Sequence, residues 1–317
     1  MIKRDPLPKP LAEIPWMRGL HQYMERRGYV CALESTTAFD DHPTVIALSD
    51  YGGDANHCSY LTYAFLYAGY KALHQWHEQI LRLKMARCSD GRTIRYKDLR
   101  DTKRQTMLPE WLSLANSLPG YLIVVAVDKR IPHLFVDDTG RELAETFASL
   151  GLSGYTSTVA EKTLRVLHML CYFAALMLRP EKKFLWKTDE DDIAGSGGYS
   201  QRLQHLGELY RGVMNMYIAH PIMEFGYAVD LTGDELRFFE DGLSLPDLAA
   251  GACADYFSQA PQLHKYRREK IILWLANEET LLQKIIFRFN CVGQGPSFTI
   301  KEVRFRKYGL SVKMDAI

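Results

Sequence analysis

The run Gly120-Tyr-Leu-Ile-Val-Val-Ala-Val-Asp128 constrains the fold more than any other segment. Its interior is uninterruptedly apolar, so it has neither the alternation of a half-solvated strand nor the spacing of a surface helix. Flanked by helical patterns over 101–117 and 158–178, it reads as an interior strand of a sheet covered on both faces. The other elements are arranged around it. Thr44 to Asp50 is a short buried strand closed by Tyr51-Gly52-Gly53, and Ser59 to Ala68 returns as its antiparallel partner. Thr93 to Tyr96 and Lys183 to Thr188 are further strand candidates. Helical spacing covers 11–28 (Leu11, Ile14, Met17, Leu20, Met24), 71–87, 199–216, 244–258 and 265–282. Strands at 283–290 and 297–306 enclose a Gly-Gln-Gly turn, and 131–157 reads as a loop.

Hairpin strands followed by alternating helices and strands describe an α/β fold with a mixed sheet flanked by helices. The expected organisation is an N-terminal helical extension over 1–42, a central domain over 43–260, and a basic helix and hairpin over 261–317 that extends the same domain or stands as a separate lobe.

Composition bounds the function. The 317 residues carry 39 basic and 38 acidic side chains, a formal charge of +1, which excludes a uniformly basic nucleic-acid binder. No apolar stretch reaches the roughly 20 residues of a membrane span, and Met1 to Pro10 lacks the apolar core of a secretory signal. The six scattered cysteines contain no C-x-x-C pair, so neither a zinc site nor a disulfide framework is suggested. A reduced, cytoplasmic protein is expected.

The chemistry-bearing positions are carboxylates. Asp50 ends the first strand. Asp189 ends the strand 183–188 and opens the run Asp189-Glu190-Asp191-Asp192, and Asp247 sits in the first turn of a helix beginning near Pro246. Functional groups in α/β sheets collect at strand ends and adjacent helix starts. Carboxylates converging there repel unless a divalent cation joins them, and hard oxygen donors suit Mg²⁺ or Mn²⁺. Each has a plainer reading: Asp50 as a turn former, Asp247 as a helix N-terminal acid, and 189–192 as a solvated loop.

The segments V-I-A-L-S-D-Y-G-G, R-Y-K-D-L, F-L-W-K-T-D-E-D-D-I-A and S-L-P-D-L-A-A-G-A occur in an order that resembles the domain-of-unknown-function family 3800. That family is identified as a member of the RNase H-like superfamily of metal-dependent nucleases, and the resemblance spans roughly residues 43–258. It implies an RNase H-like sheet and divalent-metal-dependent hydrolysis of DNA or RNA, in phage defence or mobile-element biology. By this resemblance Asp50, Asp189 and Asp247 are the metal-binding carboxylates, Glu190 or Asp192 a fourth ligand or supporting partner, and Lys97 lies near the scissile phosphate. Two positions depart from the pattern: Tyr51 and Arg95 stand where the family carries acidic residues. One ligand is therefore missing or supplied by Asp98. A catalytically inactive module that binds nucleic acid, a protein partner or a second copy, and a phosphatase or nucleotide hydrolase using the same carboxylates, are the alternatives.

Charge is unevenly spread. Residues 181–255 hold 14 acidic and 6 basic side chains, whereas 261–310 hold 10 basic and 4 acidic. The basic set, with Arg267, Arg268, Lys270, Arg304, Arg306 and Lys307 among aromatics, suits a phosphate backbone and unstacked bases, or equally a solvated face over an inward-packed hairpin. His74 and His77 read as surface histidines, and Ser196 among glycines does not form a nucleophile elbow.

Overall fold

The computed structural model describes residues 8–87, 91–135, 141–152, 154–189, 192–193, 201–218, 224–227, 233–258, 265–293, 298–308 and 311–316. The chain forms two compact units. The first comprises residues 1–37, 132–183 and 190–226, and the second residues 38–131, 184–189 and 227–317.

The first unit is helical: α1 (Lys9–Glu13), α2 (Pro15–Arg26), α3 (Tyr29–Glu34), α6 (Arg141–Ser149), α7 (Ser157–Met177) and α8 (Gln201–Tyr217). The single helix expected over 11–28 is broken at Ile14, whose extended backbone (φ −102°, ψ 106°) is what the following Pro15 ring enforces. Trp16, Met17, Leu20 and Met24 then line the buried face of α2. Within the expected loop 131–157 lies α6, which buries Leu143 and Phe147 beside Tyr155 and Ala160. The α7 helix is capped by the Thr156 side chain accepting from Val159 N–H, and its buried Arg165 pairs with Glu161 one turn earlier at 2.8 Å.

The second unit holds the sheet strands β1 (Thr44–Gly52), β2 (Tyr60–Gly69), β3 (Gly120–Asp128), β4 (Lys183–Thr188), β6 (Leu282–Cys291), β7 (Phe298–Tyr308) and β8 (Ser311–Ala316), whereas three of the four residues of β5 (Glu224–Tyr227) belong to the first unit. Strand order is β4-β1-β2-β3-β6-β7, with β8 beyond β7. The β1–β2, β2–β3, β6–β7 and β7–β8 pairs are antiparallel and β3–β6 is parallel, so the sheet is mixed. All residues of β3 are buried, as an interior strand requires.

Period-2 alternation sets which side chains meet the helices. Ile46 and Leu48 of β1, Ala64 and Leu66 of β2, and Leu122 and Val124 of β3 share one core with Trp76 of α4 (Tyr70–Arg87), Trp111 of α5 (Thr102–Ala115), Leu245 of α9 (Gly233–Phe257) and Ile271 of α10 (Lys265–Leu275). The α9 backbone approaches the hairpin closely: Thr62 Oγ1 donates to the Ala250 carbonyl at 2.9 Å. A Cβ on Gly52 would lie 2.9 Å from Thr62 Oγ1 and 3.2 Å from the Ala250 carbonyl carbon, so glycine permits this contact.

Thr93–Tyr96 is not a strand; Thr93 donates to Asp241 and Tyr96 opens a 3-10 turn (Tyr96–Asp98). The helix expected at 244–258 begins at Gly233, with Pro246 inside it, because buried packing along α9 outweighs the one backbone donor that proline lacks. The terminal helix ends at Leu275, and a third strand, β8, follows the expected hairpin. Among the described residues no helix is long and apolar enough to cross a membrane.

Candidate functional site

Asp50 continues the Ile46–Leu48 series on the helix-covered face of β1, so its carboxylate points toward α9 rather than into the hairpin turn. The Tyr51 N–H donates to Asp50 Oδ1 at 2.6 Å, which helps fix the carboxyl group. Asp189 follows β4 directly, and its N–H donates to the Ser49 carbonyl at 3.1 Å, holding that strand end beside β1. Asp247 lies in the middle of α9. Its expected position in a first helical turn is overturned, and with it the reading that it merely complements a helix N-terminus.

Asp50, Asp189 and Asp247 line one small cavity of about 20 Å³ together with Arg95, Glu240 and Ser244. That volume holds a single water-sized particle. Burial, and then the Asp189 charge, push the Asp247 carboxyl up to about 6, against the Tyr96 N–H bond to its Oδ2 and the pull of Arg95 and Lys97. A buried carboxyl facing another carboxylate has a large affinity for positive charge. The donor set consists of hard oxygens, so these residues fit Mg²⁺ or Mn²⁺.

Asp247 also borders a second, larger cavity of about 810 Å³, whose wall includes Lys97, Arg92, Arg100, Asp98 and Asp255. Lys97, whose charge acts on Asp247, and Asp98 line this larger cavity, and Asp98 is not among the residues lining the small one. Arg95 occupies the small cavity and faces Glu240 at 3.6 Å. Tyr51 is turned to the opposite face of β1, where its hydroxyl meets Ser49 Oγ and Thr188 Oγ1, each at 2.8 Å. Its side chain braces β1 against β4 instead of joining the carboxylates.

Glu190 lies outside the described residues, as does the Ser196 segment, and Asp192 is exposed. Of the basic set, the side chains of Arg267, Arg306 and Lys307 also fall outside them. Arg268 donates to the Asp255 carbonyl at 3.3 Å and lies over the Tyr256 ring, Lys270 is partly buried, and Arg304 pairs with Glu302 at 2.7 Å. Arg268 and Arg304 thus serve internal contacts. His77, expected at the surface, is buried with Nδ1 3.1 Å from Asp241 Oδ2, while His74 is exposed beside Glu78. That difference arises because α4 turns one histidine toward α9.

Tyr96 is the residue that motif reading missed. Its N–H holds Asp247, and its hydroxyl donates to Asp255 Oδ2 at 2.7 Å. Asp255 lies two helical turns beyond Asp247 on α9, and the i, i+8 spacing is the sequence signal that links them once the helix is known to be continuous. A Cβ on Gly251 would lie 2.3 Å from the Tyr96 ring, so glycine between the two aspartates admits the tyrosine. No protein-family model matches the chain, and comparison with curated proteins finds no match.

Proposed function

We propose that the chain is a divalent-metal-dependent nuclease of RNase H-like architecture that hydrolyses phosphodiester bonds of DNA or RNA. The convergence of Asp50, Asp189 and Asp247 on one cavity, from a strand interior, a strand end and a helix middle, carries this reading. The residues come from distant parts of the sequence, and like charges gathered under burial are costly unless they do work. In this reading the three carboxylates hold Mg²⁺ or Mn²⁺, which when bound supplies Lewis acidity and a more acidic water. In the same reading Lys97, Arg92 and Arg100 on the adjoining wall receive phosphate oxygens, and the Lys97 charge also acts on Asp247. Tyr96 keeps Asp247 in place through its backbone.

The test is cleavage of single- and double-stranded DNA and of RNA with Mg²⁺ or Mn²⁺. Asp50→Asn and Asp247→Asn should each lower the rate roughly a hundredfold or more with folding intact. Unchanged cleavage in both would sink the proposal. A specific observation favours the second reading, a catalytically inactive nucleic-acid or protein-binding module: Arg95 lines the carboxylate cavity and offsets its charge without a metal. Calorimetric titration separates the two, because the inactive module takes up neither Mg²⁺ nor Mn²⁺ there.

A further inference from the structure

Another group of metal-ligating side chains stands on the wall of the larger cavity. His57 and Cys58 belong to the turn between β1 and β2, and Asp255 to the last part of α9. One ligand atom from each lies within 4.8 Å of the others, and His57 Nε2 is 3.8 Å from Asp255 Oδ1. Ligands around a tetrahedral zinc ion stand roughly 3.3–3.8 Å apart, given metal–ligand bonds of about 2.0–2.3 Å. Closing the remaining gap needs only a small movement of His57, whose side chain is exposed.

We propose that His57, Cys58 and Asp255 form a binding site for a thiophilic transition metal of the Zn²⁺ class, distinct from the carboxylate centre. The donor set carries the choice of ion: a thiolate and an imidazole favour zinc over magnesium, which takes hard oxygens. The groups that support the ligands are already present. The Tyr96 hydroxyl occupies Asp255 Oδ2 and leaves Oδ1 toward His57, the arrangement by which a supporting hydrogen bond orients a ligating carboxylate. The turn is held by Cys58 N–H to the Ala55 carbonyl at 3.0 Å, Ser59 N–H to Ser258 Oγ at 2.7 Å, and Lys129 Nζ to the Ala55 carbonyl at 2.8 Å. Burial and the Asp255 charge push the Cys58 thiol up, so metal binding releases a proton to solvent as the thiolate forms. All three residues border the cavity, so the fourth coordination position opens into it. The metal would tie the hairpin turn to α9 and place a Lewis acid on the cavity wall. The site does not depend on the nuclease reading.

The test loads the full chain with Zn²⁺ and, separately, with Co²⁺ as a spectroscopic substitute. One equivalent of Co²⁺ should give a near-ultraviolet thiolate charge-transfer band that is lost in Cys58→Ser and retained in Asp50→Asn. His57→Ala, at an exposed position that leaves the fold intact, should weaken Zn²⁺ binding about tenfold or more. The proposal is overturned if the wild-type chain shows no thiolate band, or if the band persists in Cys58→Ser and thus belongs to another cysteine. It is equally overturned if Zn²⁺ uptake is lost in Asp50→Asn and unchanged in His57→Ala, which would assign the ion to the carboxylate centre. Loss of nuclease activity with the band intact would leave this site standing and remove only the nuclease reading.

Discussion

Asp241, fully buried, and Asp247, half-buried, stand on the same helix, and their surroundings are opposite. Asp241 receives hydrogen bonds from Lys84 Nζ and Thr93 Oγ1 and lies beside His77, so its charge is answered within the fold. Asp247 accepts one backbone N–H, is drawn by the charges of Arg95 and Lys97, and faces a cavity shared with Asp50 and Asp189. A buried carboxylate paired with a lysine holds structure together, whereas one gathered with other carboxylates stores a demand for an external cation. The contrast separates a structural acid from a candidate functional one on a single α-helix.

Breaking the Asp241 pair should give the largest change in stability. Lys84→Met leaves the Asp241 charge buried and should cost about 3–5 kcal/mol in urea-induced unfolding. A loss below about 1 kcal/mol would mean that Asp241 is no better compensated than Asp247.

Asp247→Asn should do the reverse. Its carboxyl is raised from 3.8 to about 6 in the folded state, so the folded chain binds more protons than the unfolded chain between those values. The contribution to stability is therefore fully present below about pH 4 and is lost as the pH rises through about 6. The shift corresponds to a penalty on the order of 3 kcal/mol at neutral pH. Asp247→Asn should thus be more stable than wild type at pH 7 and lose that advantage by pH 4, as followed by thermal unfolding across pH. Saturating Mg²⁺ should shrink the advantage at pH 7 by stabilising only the wild type.

Gly251→Ala sharpens the comparison at its midpoint. The new methyl meets the Tyr96 ring, so roughly 1–3 kcal/mol of stability should be lost and cleavage should fall with it, because Tyr96 carries the Asp247 hydrogen bond. Tyr96→Phe is the mildest change. It removes the hydroxyl bond to Asp255 at a cost of about 1 kcal/mol but keeps the backbone N–H on Asp247. Zn²⁺ affinity should fall while Mg²⁺-dependent cleavage persists, and a parallel loss of both would show that the two centres are not separable.

Much of the sheet is legible in one dimension. The strand 120–128 and the hairpin partners announce themselves because burial on one or both faces leaves an apolar signature along the chain. Asp50 and Asp189 are likewise visible as polar residues closing apolar runs, although β1 continues two residues past Asp50. Helix boundaries are harder to read, for reasons seen at two prolines. Pro15 breaks the first helix by forcing Ile14 to be extended, whereas Pro246 is carried inside α9. The difference lies in what packs around each, which local sequence does not encode.

What the sequence by itself determined is the strand 120–128 with the hairpin strands before it, the mixed α/β class and the chemical identity of the carboxylates, because periodicity and side-chain type are properties of the chain. Only the tertiary structure decided that Asp247 sits mid-helix, that Arg95 enters the carboxylate cavity, and that His57 and Cys58 meet Asp255 across almost two hundred residues of sequence. Those relations depend on the close approach of α9 to β1 at Gly52 and to Tyr96 at Gly251, and contact between distant segments leaves no periodic trace in either one.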